Sequence, residues 1–473
     1  MPTTTTTSQV VTPVETPFYD VEKRLDDESI DDYDAVLFTV CDVFGRPRGK
    51  FAVGSGVKKF VKEGMEMPNT TCVLGFNSEV PKTVLRYSQA KASTCRMFPD
   101  LSSLRPLSWL CKEGRKVGQV LCDLYDSSKK PDPSSPREIA KRQVAALEKI
   151  GFQIMSAHET EFMMFHKGTL NPMGGNIHEI VNMYRLDGEL SFLYDVMLGL
   201  LNSGIPVETQ MEEFQPGQVE YSLQPQYGIK MADCVHRMRY IAKAIGDTGG
   251  FDSVFMTRPH AENQSNGYHL NHSLWTLDGK NAFYDPDGDH KCSEILRHWV
   301  AGLLLHGHAL LALFNPTTNC YERLHGFFSP SDNVWNYDDR NARLRVKTKG
   351  KNVHIEDRSP SSACNPYLVL AGLIAAGMDG IVNKLECPAP REFRPLVEGD
   401  ARGKPENPLP KTFDEALNAL EKDTVLKTAL GKEFIEDYIA LCKEFQLEKL
   451  KDSLVKEPSE RFEAARALFL YNL

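Results

Sequence analysis

The 11 cysteines of this sequence include no two close enough for a CxxC pair; they are scattered from Cys41 to Cys442. Common zinc and dithiol redox motifs are therefore excluded, and a reducing, cytoplasmic setting is expected. Each thiol reads first as a small buried hydrophobe. An excess of positive charge is also missing. The 55 Lys and Arg stand against 64 Asp and Glu, a net charge of −9, which argues against a nucleic-acid-binding surface. No membrane span is expected. The most apolar stretch, Ser293 to Phe314, carries Glu294, Arg297, His298, His306 and His308 and reads as one buried core helix. Met1-Pro2 leads into a threonine run with no basic or apolar block, so no signal peptide is expected. No internal repeat is visible.

What is present is enough for a folded catalytic protein. A chain of 473 residues, 41% hydrophobic and 25% charged, can bury two or three domain cores. Residues 1–17 are rich in Thr, Val and Pro and read as a flexible tail. The segment AVLFTVCDVFGRPRGKFAV (35–53) reads as two strands joined at Gly45-Arg46-Pro47. Further strands are expected at CVLGF and VLCDLYD. The stretch DSSKKPDPSSP (126–136) holds four Ser and three Pro and is the best domain boundary. A small β-rich domain over 18–130 and a large mixed domain over 131–473 follow, an α+β organisation. The second opens on a helix: Ser135 can cap it, Pro136 suits its first turn, and Glu138 favours the positive N-terminus, with Gly151 as the stop. The last hundred residues read as helices, clearest over Thr412 to Ala419 and Ala429 to Phe445.

Four segments carry candidate chemistry. In HETEFMMF (158–165) a strand would put Glu159 and Glu161 on one face. Two carboxylates on a mostly buried strand repel each other, and metal ions would relieve that; the alternative is an edge strand with both in water. MEEFQPGQVEYSLQP (211–225) sets Glu212 and Glu213 before a Pro-Gly turn and Glu220 after it. In SNGYHLNHSLW (265–275) a strand would align His269, Asn271 and Ser273, with His272 opposite. Imidazole beside carboxylates suits Mg²⁺, Mn²⁺ or Zn²⁺, and the carboxylate surplus leans toward Mg²⁺ or Mn²⁺. DRNARLRVKTKGKNVHIEDRSP (339–360) packs seven cations, Arg340, Arg343, Arg345, Lys347, Lys349, Lys351 and Arg358, around Glu356. Such a run suits a nucleotide triphosphate or a substrate carboxylate, or is in part a solvated loop.

Read in order, ETEF (159–162), GQVE (217–220), NPTTNCYERL (315–324) and NPYLVLAGLIAAGMDG (365–380) resemble the glutamine synthetase family, as do PDLSSLRPLSW (99–109) and SPREIAKRQ (135–143). The resemblance implies a β-grasp-like N-terminal domain, a catalytic domain whose antiparallel strands form half a funnel, and subunits joined in rings, with a dodecamer expected from the length. It implies two or three Mg²⁺ or Mn²⁺ ions per site with ATP as co-substrate. One ion would be held by Glu161, Glu213 and Glu220, with Glu212 an alternative to Glu213. Another would be held by Glu159, His269 and Glu356. Arg323 and Arg358 match glutamate-binding positions. Arg340 and Arg345 match positions near the ATP phosphates, with Arg340 and Arg358 acting on the phosphoryl group. Ser273 and Lys351 match nucleotide contacts.

The sequence departs from the family pattern at the amine. Phe328 falls where the flap HGFFSP (325–330) would carry a Glu that deprotonates ammonium, and Asn77 in GFNSEV (75–80) stands in place of an Asp. Gln264 and Ser265 replace an Asn-Gly pair that helps hold glutamate, and His354 replaces an Arg near ATP. These changes match the γ-glutamyl-amine ligases, while parts of the C-terminal half resemble lengsin, the non-catalytic scaffold of the family. The expectation is a ligase that joins a glutamate-like γ-carboxylate to an amine other than ammonia; the alternatives are a lengsin-like scaffold and glutamine synthesis itself.

Overall fold

The computed structural model describes residues 29–84, 87, 93–175, 180, 188–260, 265–324, 326, 329–392, 405–454 and 456–473. The tail expected over 1–17 lies outside them. The predicted hairpin forms: β1 (Ala35–Cys41) pairs antiparallel with β2 (Pro47–Val53). These join β3 (Met65–Pro68), β4 (Thr94–Pro99), β5 (Arg105–Pro106) and β6 (Val117–Tyr125) in one sheet of order β2-β1-β6-β4-β3, with β5 beside β6. The pairing of β1 with β6 is parallel.

A nine-stranded sheet follows. It contains β7 (Phe152–His166), β8 (Val207–Glu212), β9 (Gln218–Leu223), β10 (Gln226–Tyr227), β11 (Phe251–Val254), β12 (Tyr268–Thr276), β13 (Trp335–Tyr337), β14 (Leu344–Lys349) and β15 (Asn352–Asp357). The order is β13-β14-β15-β12-β7-β9-β8, with β10 and β11 also on β7. Only β13 and β14 run parallel. The long strand β7 is thus central, which rules out the edge-strand reading. Its side chains alternate: Ile154, Ser156, His158 and Thr160 are buried, and Met155, Ala157 and Glu159 face the other way, less covered.

Helices pack on the sheet's covered face. Pro366–Val382 is almost wholly buried and lies against Glu294–Leu305. Gly302 and Gly380 let the two backbones touch, since a Cβ on either would run into the opposing main chain. Together the sheets and helices make the α+β fold expected. Among the described residues no helix is long and apolar enough to cross a membrane. All eleven cysteines are free and most are buried, as small hydrophobes would be.

Three local expectations are corrected. CVLGF forms turns rather than a strand, because Thr71 and Val73 donate to carbonyls three residues back and Cys72 O accepts from Val43 N. Ser293–Phe314 is two helices, Glu294–Leu305 and Gly307–Phe314. The break falls at His306, whose ring is held by Asp379 at 3.1 Å and Asp423 at 2.6 Å. The run Ala429–Phe445 is also divided. One helix ends at Leu430, Gly431 turns the chain at φ +109°, and a second spans Lys432–Cys442. The helix Pro136–Lys149 forms as expected, with Ser135 at its N-cap, though that side chain makes no capping bond.

Candidate active site

Strand register assembles the site. Glu159 on β7 is opposite His269 on β12, and Glu161 is opposite Glu220 on β9. Across β12, Asn271 is opposite Glu356 on β15, and Glu356 is opposite Arg345 on β14. Residues two apart on a strand share a face, so this register draws one polar band across five strands. A cleft of about 790 Å³ opens on the band. It is lined by Glu159, Glu161, Glu213, Glu220, His269, Glu356, Arg323, Arg340, Arg345 and Arg358. Glu213 lines it and Glu212 does not. A second cavity of about 710 Å³ takes Ser273 and Lys351, along with His354 and Trp275. Glu159, Thr209, Ser222 and Lys347 line both. Gln264 and Phe328 lie outside the described residues.

The carboxylates divide into two electrostatic classes. Burial, then the charges of Glu161 and Glu159, push the Glu220 carboxyl up to about 9. Burial and Glu161 raise Glu213 to about 7. This end of the cleft is short of positive charge. At the other end Glu356, 1% exposed, meets Lys347 Nζ at 2.6 Å, Arg345 Nη1 at 3.0 Å and the Arg358 guanidinium. Burial opposes its charge, but His269, Arg358 and Lys347 outweigh that and hold it well below the usual carboxylate range. Glu159 is also held low against its burial, by a 3.1 Å contact with Nδ1 of His269.

Glu159, Glu220 and His269 each offer one ligand atom, and these atoms lie within 4.8 Å of one another. This grouping cuts across the two sets expected from the sequence. It takes Glu220 from one and Glu159 with His269 from the other; Oε1 of Glu356 lies 4.0 Å from Nδ1 of His269.

Two residues that shape the site, Gln218 and Gly267, were not singled out from the sequence, and they meet two that were, Asn271 and Arg323. Gln218 Nε2 donates to Oε2 of Glu161 at 2.9 Å, and Gly267 N donates to the same oxygen at 2.8 Å. A Cβ at position 267 would stand 2.9 Å from Arg323 Nη2 and 3.0 Å from Glu161 Oε1, so only glycine leaves this corner open. Asn271 Nδ2 donates to Glu159 Oε1 at 2.9 Å. Arg323, 3% exposed, donates to the carbonyls of Arg358 and Ser359. The spacing of Gln218 two before Glu220, on the same face, was the available signal.

Comparison with known proteins fits this geometry. The model of the family described as "Glutamine synthetase, catalytic domain" matches residues 133–460. The chain belongs to the glutamine synthetase family. It is a ligase family that uses ATP and divalent metals. The glutamine synthetase of Methanocaldococcus jannaschii is 34% identical over 352 residues, covering 72% of this chain and 77% of that one. Rat lengsin is 30% identical over 440 residues, covering 87% of this chain and 72% of lengsin. Among solved structures, a "novel glutamine synthase homolog" superposes with a TM-score of 0.79 at 22% identity, over 92% of this chain and 99% of that one. An ADP complex of GmaS gives 0.78 at 24%, over 94% and 99%. At these identities the two structures speak to fold alone.

Three departures from the glutamine synthetase pattern can be located, and the first, Ser265, lines the carboxylate cleft. Asn77 is exposed on a turn, where its N–H donates to Glu79 at 2.8 Å, and it lines neither cavity. His354 lines the second cavity, and burial holds its ring down at about 4, so it is neutral at pH 7.

Proposed function

We propose that the chain is a cytoplasmic, ATP- and metal-dependent ligase that joins a glutamate-like γ-carboxylate to an amine other than ammonia. The carrying observation is the meeting of the two cavities at Glu159, Thr209, Ser222 and Lys347. A nucleotide whose base lies by Ser273 and Lys351 would direct its phosphates through this junction into the carboxylate cleft.

The donor set fits Mg²⁺ or Mn²⁺: hard oxygen ligands dominate, with one imidazole. The raised values of Glu213 and Glu220 mark carboxylates that lack a counter-charge. Glu161, Glu213 and Glu220 are assigned to one ion, and Glu159, His269 and Glu356 to another. When bound, such ions neutralise the charge on the transferring phosphoryl group and fix its geometry. Arg323 and Arg358 orient the acid, and the family resemblance of the sequence assigns Gln264 and Phe328 to substrate binding. An oxygen of its γ-carboxylate attacks the terminal phosphorus of ATP, and ADP leaves. Arg340, Arg345 and Arg358 stabilise the charge on the phosphoryl oxygens. The amine nitrogen then attacks the acyl carbon of the resulting acyl phosphate, inorganic phosphate departs with the bonding pair, and the nitrogen loses a proton. The replacement of a carboxylate by Phe328 in the sequence supports an amine with an apolar part over ammonium; Asn77, which lines neither cavity, adds nothing to this. A ring of twelve subunits is part of the same reading.

Glutamine synthesis from ammonia is the second reading, favoured by the glutamine synthetase of M. jannaschii at 34% identity. A lengsin-like scaffold is disfavoured by the retained carboxylates, which repel one another without metal. Phosphate release from Mg²⁺, ATP and glutamate, screened over alkylamines, polyamines and ammonia, distinguishes the three. The proposal expects release with an organic amine at least about tenfold above ammonia. Release with ammonia alone would overturn the amine assignment. No rise in melting temperature with Mg²⁺ and ATP would favour the scaffold.

A further inference from the structure

A separate cavity of about 90 Å³ lies away from both clefts, between elements of the first sheet and the helix Lys230–Thr248. One wall is the 3₁₀ turn Leu101–Ser103 with β5 and β6; the other is that helix with the loop at Gly204 and Pro206. Four cations line it, Arg105, Arg137, Lys230 and Arg237, against two carboxylates, Asp100 and Asp233. Four minus two leaves an excess of two positive charges. Both carboxylates are already engaged by Arg137, which lies 2.7 Å from Asp100 and 2.9 Å from Asp233. Asp233 also accepts from the Tyr367 hydroxyl at 2.7 Å.

Arg105 and Arg237 have no such partner. Arg237 is 4% exposed. Its nitrogens donate to Gln119 Oε1 at 3.0 Å and, at 3.4 Å each, to the carbonyls of Ser103 and Ser203. These are neutral acceptors, and three bonds leave two of the five guanidinium N–H groups unused. Arg105 donates through Nη1 to the carbonyls of Leu104 and Ser102, at 2.7 and 3.1 Å. Among the described residues neither arginine forms an ion pair. Burial, followed by the nearby charge of Arg105, brings Arg237 down to about 10. A guanidinium buried without a counter-ion is costly, and the group that best relieves it is an oxyanion that can accept two parallel N–H bonds.

We propose that this cavity binds one tetrahedral oxyanion of the inorganic phosphate class, held by Arg237 and Arg105. Its volume of about 90 Å³ has room for a phosphate-sized anion. The bound anion would add a second tie between the turn at Ser103 and the helix Lys230–Thr248, beside the Arg137 bridge from Asp100 to Asp233. This inference does not depend on the reaction proposed above.

The test is thermal unfolding of the full chain, free of metal and nucleotide, titrated with inorganic phosphate at constant ionic strength balanced with chloride. Saturating phosphate is expected to raise Tm by about 2 °C or more over chloride, through preferential binding to the folded state. Sulfate should reproduce the rise and acetate should not. Arg105→Gln, at a half-buried position whose contacts are carbonyls, is expected to abolish the rise, whereas Arg340→Gln in the large cleft should retain it. A rise no greater than with chloride overturns the proposal. So does an undiminished rise in Arg105→Gln, or its loss in Arg340→Gln, which would place the anion in the large cleft.

Discussion

Nζ of Lys347 on β14 lies 2.6 Å from Oε2 of Glu356 on β15, and Arg345 reaches the same oxygen at 3.0 Å. The lysine therefore occupies a coordination position that a divalent ion would need, and it also lines both cavities. Metal and lysine compete for one carboxylate. Lys347→Met should tighten Mn²⁺ binding about tenfold, about 1.4 kcal/mol, while weakening ATP binding through loss of a phosphate-facing charge. Calorimetric titration of each ligand reads both effects; weaker Mn²⁺ binding in the variant would contradict the competition.

Glu220 makes the opposite prediction for stability. Its carboxyl sits at about 9 in the fold, against about 4.3 in an unfolded chain. The folded state thus holds a proton that the unfolded state has released. Without metal, stability should fall as pH rises from about 4 to about 9. Glu220→Gln removes the titration, and at pH 8 in chelator the variant should be more stable than the parent by up to about 5 kcal/mol. It should also lose the rise in Tm that Mn²⁺ gives the parent. Urea titrations with chelator and with Mn²⁺ measure both, and a Glu220→Gln variant still stabilised by Mn²⁺ would remove this residue from the metal site.

Gln218 acts through Glu161. With Gly267 N it holds Oε2 and leaves Oε1 toward the cleft. Partners that orient a metal ligand typically contribute 10–100-fold in affinity. Gln218→Met should weaken Mn²⁺ binding by about that range with the melting temperature of the metal-free protein little changed. Unaltered affinity would reduce Gln218 to a packing role.

His306 is a pH-dependent fastener at the helix break. Burial opposes its charge, but hydrogen bonds to Asp423 and Asp379 prevail and raise its pKa above the ordinary value. A raised folded value means that the stabilisation is fully present below about 6.5 and disappears as pH rises through the folded value. His306→Ala should cost about 1–2 kcal/mol at pH 6, allowing for partial screening, and distinctly less at pH 9. Equal losses at the two pH values, in parallel denaturation curves, would show that packing alone holds this joint.

Much of the site was readable from residue order because strand alternation is a local rule. Once HETEFMMF is a strand, Glu159 and Glu161 must share a face, and His269, Asn271 and Ser273 follow the same logic. All ten charged residues expected near metal, acid and phosphates line one cleft. What could not be read depends on partners distant along the chain. The mostly apolar run Ser293–Phe314 reads as one helix, and the partners of His306 at its break, Asp379 and Asp423, lie far along the chain. Likewise, the cations around Glu356 could not be read from order alone, because Lys347 and Arg345 arrive from a neighbouring strand. CVLGF has strand composition, but its backbone groups are taken by turns and by Val43.

Strand β7 borders β9, β10, β11 and β12 at once, so its alignment serves as a common ruler for the pairs Glu159–His269 and Glu161–Glu220. A slip of a single residue against β12 would exchange Glu159 for Thr160 opposite His269, and the same displacement against β9 would separate Glu161 from Glu220. Assembly of the sheet and maturation of the ion-binding chamber are therefore a single event. A refolding chain should gain affinity for Mn²⁺ together with its native sheet signal, with no stage at which one precedes the other.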